Sequence, residues 1–367
     1  MSNLTRTAFF SRKIAFGGAI AVIATVTFIL LTSIGKSILR VFVPPQPPPA
    51  TVAFGKLPPL DFSGGFKPPS GVNYSVQTVS GNLPKLDLMT NVFEVNSPAT
   101  SFGDSAKSKA KSQKLGFGDT PIETVGVISK FADSKSLNRV LTMDTTNGNF
   151  EIESNYLTKI EVLGGKPKSQ DEAKTTAELF IKDALAKINF ADTKTATVFY
   201  KIDGSKLTEV SSIGQANLVA FKYARADIEK KKVVYDNYIN PEYWVLVFGK
   251  DIIAAHNGTL DLELNKFSTY PLRGVAKAFD ELKKGNAIYN RGPIENLGGV
   301  EISTSIATQL KPFAEGKFSI FSVELGYLIT SKYEAYLQPV YIFNGDNNVA
   351  AYVSAVDDAW IDHSDQK

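Results

Sequence analysis

The longest apolar run in the chain lies near its start. From Ile14 to Gly35 no side chain is charged, and Ile14, Ala15, Phe16, Ala19 to Ala24, Val26, Phe28 to Leu31 and Ile34 leave little that is polar. As a helix rising about 1.5 Å per residue, the run would reach roughly 33 Å, against about 30 Å for the hydrocarbon core of a bilayer. The pattern therefore predicts one N-terminal transmembrane helix over 14–35, with residues 1–13 as a short head. Pro44-Pro45-Gln46-Pro47-Pro48-Pro49 follows. Consecutive prolines favour an extended polyproline II spacer, so residues 36–69 read as a proline-rich stalk.

Beyond the stalk the periodicity changes register several times. Strand-like alternation over Asn73 to Val79 and at Val92 to Val95 brackets a turn-rich stretch, and an Ala- and Lys-rich helix is expected from Asp104 to Leu115, closed by Gly116. Strands are expected at Val125 to Phe131, Arg139 to Met143 and, after Asn147-Gly148, Phe150 to Ile152. A second helix opens on the capping box Ser169-Gln170-Asp171-Glu172 and places Ala173, Ala177, Phe180, Ile181, Ala184, Leu185 and Ile188 on one face. Its strands are Thr197 to Ile202, Leu218 to Tyr223, Tyr243 to Phe248 and Leu260 to Leu264. A third helix over Arg273 to Lys284 is followed by strands at Val300 to Ser305, Ser319 to Ile329, Leu337 to Phe343 and Val349 to Val353. A helix followed by an antiparallel meander, met three times, predicts an α+β fold of tandem units, each a helix packed on its own sheet. The expected units are 70–160, 161–268 and 269–361, with a polar tail at 362–367.

Charge sharpens the reading of the N-terminus. The 367-residue chain carries a formal +3, but Arg6, Arg12, Lys13, Lys36 and Arg40 all flank the apolar run, and no acid precedes Asp61. Without those five charges the rest stands at −2, so a nucleic-acid partner is not expected. Three basic residues before the run and two after it favour a cytoplasmic N-terminus, a single pass through the cell membrane and an extracytoplasmic bulk. The chain has no cysteine, which excludes disulfides, thiolate catalysis and cysteine-ligated metals.

Catalytic patterns are lacking. There is no Gly-x-Ser-x-Gly elbow, His-Glu-x-x-His pair, Walker loop or Gly-x-Gly-x-x-Gly run. Ser108-x-x-Lys111 has the penicillin-binding spacing without its companion motifs and reads as a solvated helix face. Of the two histidines, His256 adjoins the Asn257-Gly258 turn and reads as solvated, and His363 lies in the tail. Asp261 and Glu263 share a strand face without further oxygen ligands nearby. Lys230-Lys231-Lys232 reads as an exposed turn or sheet edge. No catalytic, cofactor-binding or metal-binding residue is assigned, and no cofactor is expected. Tyr235, Tyr238, Tyr243 and Trp244, grouped around Asn240-Pro241, are the candidate partner-binding surface, because aromatics on a rigid scaffold serve that role.

The stretch from Ser169 to Trp360 resembles the ectodomains of the Yyc (Wal) regulatory membrane proteins and, more loosely, PepSY-type domains. The likeness rests on Tyr270-Pro271-Leu272 leading into the run Ala276 to Gly285, and on the run Tyr336 to Gly345 leading into Ala351 to Val356. It implies a single-pass regulator of a membrane sensor kinase or envelope partner, without catalytic residues. The expected function is thus a membrane-anchored binding or regulatory protein, held by 14–35 and meeting a protein partner in or near the membrane. The alternatives are a PepSY-like protease-inhibitor or chaperone module and an enzyme of unrecognised type.

Overall fold

The computed structural model describes residues 25–30 and, from 49 to 364, all but 63–66, 68–70, 98–99, 135–137, 155–164, 185–192, 204–205, 237–241, 259, 292–315, 331 and 347–348. The chain forms two compact units, Met1–Pro49 and Ala50–Lys367. In the first, residues 25–30 are helical and exposed, a length of about 9 Å. Among the described residues no helix is long and apolar enough to cross a membrane. That finding overturns the expected transmembrane helix over 14–35 and the single-pass cell-membrane location drawn from it. The head at 1–13 and the rest of 14–35 lie outside the described residues.

The unit Ala50–Lys367 is built on two sheets. The larger has nine antiparallel strands in the order β3-β4-β5-β6-β12-β11-β9-β7-β8. These are β3 (Glu123–Val125), β4 (Ile128–Ala132), β5 (Arg139–Asp144), β6 (Phe150–Ser154), β7 (Thr193–Asp203), β8 (Lys206–Val210), β9 (Leu218–Arg225), β11 (Tyr243–Phe248) and β12 (Asp251–Asn257). Helices α1 (Asp104–Lys114) and α2 (Gln170–Ala184) lie on one face. Ser169 caps α2, its Oγ accepting from Glu172 N at 3.1 Å. Beneath the helices sit Phe131, Leu141, Ile152, Phe221, Val245 and the helix residues Ala173, Ala177 and Ile181.

The two ends of this sheet differ for a reason visible in the sequence. β5 alternates buried and half-buried residues, so one face meets the helices and the other is open. β9 (LVAFKYAR) and β11 (YWVLVF) are apolar almost throughout and are buried on both faces. α1 departs from an apolar stripe: its buried side chains are Asp104, Ser108 and Ser112. Small hydroxyls satisfied at home, Ser108 Oγ on Asp104 O at 2.7 Å and Ser112 Oγ on Gly118 O at 2.5 Å, let this helix sit close to the sheet.

The second sheet gathers strands from the whole unit. Its spine is β15 (Lys317–Ile329) against β16 (Tyr336–Gly345), then β17 (Val349–Ser354) and β14 (Ile288–Arg291). On the other edge of β15 lie two parallel strands, β1 (Asn73–Val76) along Lys317 to Ile320 and β10 (Lys232–Tyr235) along Gly326 to Ile329. β2 (Met89–Val95) pairs with the start of β16 and with β13 (Leu262–Pro271). Pro339 stands in β16 where its partner changes from β2, at Tyr336 and Leu337, to β17, from Val340 onward, so its missing N–H breaks no ladder. α3 (Val275–Lys283) covers this sheet with Val275, Ala278 and Leu282. The segment expected as the end of a stalk is docked here: Leu57 bridges Ile361, Gln338 Nε2 donates to Pro58 O at 2.8 Å, and Leu60 and Phe62 pack beside Tyr352.

The expected α+β chain of tandem helix-on-sheet units is therefore corrected to a mostly β structure. The first two expected units share one sheet through the β6–β12 pairing, and the third recruits β1, β2, β10 and β13 from elsewhere. Local periodicity identifies a strand but not the edge that needs a partner. The strand expected at 300–305 lies outside the described residues.

Close packing makes Gly326 a sensitive position. A Cβ there would lie 2.5 Å from Ile342 Cδ1 and 2.7 Å from Lys232 O. The side chain can rotate away, but the carbonyl belongs to β10. Gly326→Ala is expected to cost about 1–3 kcal/mol and to speed amide exchange of Val233–Tyr235 ahead of the rest of the sheet. Unchanged exchange in β10 would show that the strand is held by something other than its fit against Gly326.

Candidate functional site

The least covered part of the larger sheet is its β3 edge. Gly126, with φ +59, and Val127 form a two-residue turn between the paired Val125 and Ile128. Glycine at the first turn position is the type II′ pattern that matches strand twist. Val127 O accepts from Thr145 N at 2.8 Å and from Thr145 Oγ1 at 3.0 Å, which ties the hairpin tip to the β5–β6 turn. Every residue from Ile122 to Ile128 is exposed. Four of them are aliphatic: Ile122 is 62% exposed, Val125 68%, Val127 39% and Ile128 36%. Among the described residues no strand pairs with the outer side of β3. At the opposite end of the same sheet, β8 shows exposed Thr208 and Glu209 and keeps Leu207 inside. Polar side chains are the usual protection for a sheet edge; β3 carries Glu123 and Thr124, but the exposed aliphatic side chains Ile122, Val125, Val127 and Ile128 stand around them.

The face opposite α1 and α2 joins this edge to the interior. Cross-strand register places Glu123, Lys130, Thr142, Glu151, His256, Trp244 and Lys222 in one row from β3 to β9. At the open end Lys130 Nζ pairs with Glu123 at 2.6 Å. Further in, burial and the neighbouring Glu153 raise the Glu151 carboxyl. His256 stacks on Trp244 with ring centroids 6.5 Å apart, and burial lowers its imidazole to about 4. A Cβ on Gly258 would lie 2.7 Å from His256 Nε2, so this turn glycine makes room for the ring.

The aromatic group picked out in the sequence does not form one face. Tyr243 is buried in the core under the helices, while Trp244, next to it in β11, is buried on the opposite face, as strand alternation dictates. Tyr235 ends β10, its hydroxyl accepting from Arg225 N at 3.0 Å beside the Arg225–Glu242 ion pair. It fastens the smaller sheet to the larger. Tyr238 lies outside the described residues.

His256 is a packed ring, not the solvated turn residue expected, and His363 is exposed. Glu263 pairs with Lys266 at 3.4 Å and accepts from Asn96. Lys230 sits at the tip of a turn whose Glu229 and Lys230 both have positive φ, while Lys231 and Lys232 pair with Glu229 and Glu324. The Ser108–Lys111 segment faces the protein: Ser108 is buried and Lys111 half-buried. The hairpin edge escaped the sequence reading, which ran Val125 to Phe131 as one strand. Gly126 inside that apolar run was the available signal.

No family model matches the chain, and no curated protein matches it. Among solved structures it is similar to an uncharacterized protein from Eubacterium rectale ATCC 33656, at 13% sequence identity and a TM-score of 0.35, over 79% of this chain and 89% of that one. These comparisons supply no link to the Yyc regulators or to PepSY domains. The PepSY-like, tandem-repeat expectation falls together with the tandem units.

Proposed function

We propose that the chain is a binding protein that takes up a polypeptide partner as an added strand along β3, without a chemical step of its own. The observation that carries this reading is the group of exposed aliphatic side chains, Ile122, Val125, Val127 and Ile128, at a sheet edge on whose outer side no strand pairs among the described residues. Strand addition draws affinity from main-chain hydrogen bonds and selectivity from alternate side chains. The tied hairpin supports it, because a pre-ordered edge loses little entropy on binding.

The test places a photocrosslinking residue at Thr124 in the full chain, with Glu209 on β8 as the control, in cells of the source organism. Adducts specific to Thr124 are expected. The pair Val125→Lys and Ile128→Lys should reduce them by tenfold or more, since burying one aliphatic side chain is worth about 1.5–3 kcal/mol. Equal adducts from both edges, or adducts indifferent to the lysines, would overturn the reading.

A further inference from the structure

A second feature lies on the smaller sheet, where Leu57 to Phe62 dock without joining a ladder. Alternation along β16 sets Gln338, Val340 and Ile342 on one face, and the β16–β17 register places Ser354 opposite Val340. Leu60 and Phe62 pack on the cluster that holds Val340, Ile342 and Tyr352, and Leu57 is buried beside them with Tyr270 and Ile361. Gln338 is wholly buried, and its Nε2 donates to Pro58 O at 2.8 Å. Its Oε1 is buried with no hydrogen-bond partner among the described residues, as is Ser354 Oγ.

In extended backbone the N–H and C=O of one residue point the same way, so a carboxamide can engage both, its nitrogen donating and its oxygen accepting. Pro58 breaks that pattern because it has no N–H. Half of the bidentate contact is therefore made and half is missing, where a buried acceptor without a donor is costly. The segment is also lightly tied. Leu57 makes one isolated bridge, with Ile361, and residues 58–62 are half-buried and pair with no strand among the described residues. Asp61 N donates to Glu334 at 2.9 Å, and Lys332 Nζ donates to Asp61 at 2.8 Å. Backbone held in this way opens more readily than a strand within a ladder.

We propose that this face is a polypeptide-binding site, separate from the β3 edge, and that Leu57 to Phe62 are its built-in weak occupant. The ligand is an extended segment with apolar anchors at the positions of Leu57, Leu60 and Phe62 and, in place of Pro58, a residue that carries an N–H. Gln338 Nε2 then donates to its C=O, Oε1 accepts from its N–H, and the chain's own segment gives way. A tethered occupant has a local concentration of about 1 mM, so a mere copy of it competes poorly. Satisfying the orphaned oxygen is worth about thirtyfold. The stiffness given up with proline returns about threefold, which leaves about tenfold in favour of the ligand.

Two labelled peptides spanning residues 56–62, one with the chain's sequence and one with Pro58→Ala, are titrated onto the full chain and followed by fluorescence anisotropy. The Pro58→Ala peptide is expected to bind about tenfold more tightly, and Gln338→Leu in the chain should bring the two affinities together. Leu60→Ser in the chain loosens its own segment and should tighten both peptides by about tenfold. Should Gln338→Leu fail to fold, amide exchange of Leu60 and Phe62 in the wild type is the readout, and it should quicken as the Pro58→Ala peptide is added. Equal binding of the two peptides would overturn the proposal, as would affinities indifferent to Leu60→Ser. Tighter binding of the chain's own sequence would also overturn it, by making the occupant the same segment of a second copy. So would a loss of binding on Val125→Lys with Ile128→Lys, which would place the peptide at β3 instead.

Discussion

Replacing Arg139 with methionine is expected to cost about 3–5 kcal/mol of folding stability at neutral pH. Arg139 opens β5, and its side chain is 5% exposed; that of its partner Asp133 is 3% exposed. Nε donates to one carboxylate oxygen at 3.0 Å and Nη2 to the other at 2.9 Å, the bidentate geometry that a planar guanidinium is shaped for. Nη1 donates to Ile252 O at 2.7 Å, reaching β12, and the guanidinium carbon lies 4.9 Å from the Phe117 ring centre. One side chain thus joins the β4–β5 connection, the segment just after α1 and the middle of the larger sheet. Methionine fills similar volume, so the loss comes from the carboxylate left in the interior and from the carbonyl of Ile252.

The double variant Arg139→Met with Asp133→Leu separates the terms. Removing both charges removes the stranded carboxylate, so the double should be more stable than Arg139→Met alone. Urea unfolding of the wild type, both singles and the double supplies the cycle. A double variant no better than Arg139→Met would mean that the arginine acts mainly through Ile252 and Phe117.

This pair shows what sequence could and could not reveal. Arg139 to Met143 reads as a strand because Val140, Leu141 and Met143 are apolar, and a strand forms there. Nothing in that pattern says that Arg139 points inward, since its partners come from six and more than a hundred residues away. The same holds at α1: Asp104, Ser108 and Ser112 are spaced for one helix face, yet hydropathy assigns such a face to solvent. Elements with strong local signals were legible, among them the Ser169 capping box, the third helix and the strand over Ser319 to Ile329. Their assembly was not. β10 and β1 find β15 in parallel across wide sequence separations, and β6 meets β12 to merge two expected sheets. At the candidate edge one turn glycine decided the matter. Gly126 divides an apolar run into a hairpin and so creates a strand whose outer side pairs with no strand among the described residues.

Acid should destabilise the fold through His256. The unfolded chain carries an ordinary histidine near 6.5, while burial holds the folded one at about 4. Between those values the unfolded state binds the proton and the folded state does not, so stability rises with pH across this window. The contribution is fully present above pH 6.5 and is lost as pH falls toward 4. From pH 7 to pH 4.5 it amounts to about 2–3 kcal/mol. The cause is local: the ring lies against Trp244, and its Nδ1 is buried with no hydrogen-bond partner among the described residues. A proton there would be a charge without an acceptor. Other groups titrate in the same range, so the measurement is a difference. Urea unfolding of wild type and His256→Gln at pH 7 and 4.5 should show the wild type losing about 2–3 kcal/mol more than the variant. Equal losses would mean that the row through Glu151 accommodates the charged ring, with the carboxylate opposite it in β6 supplying the missing acceptor.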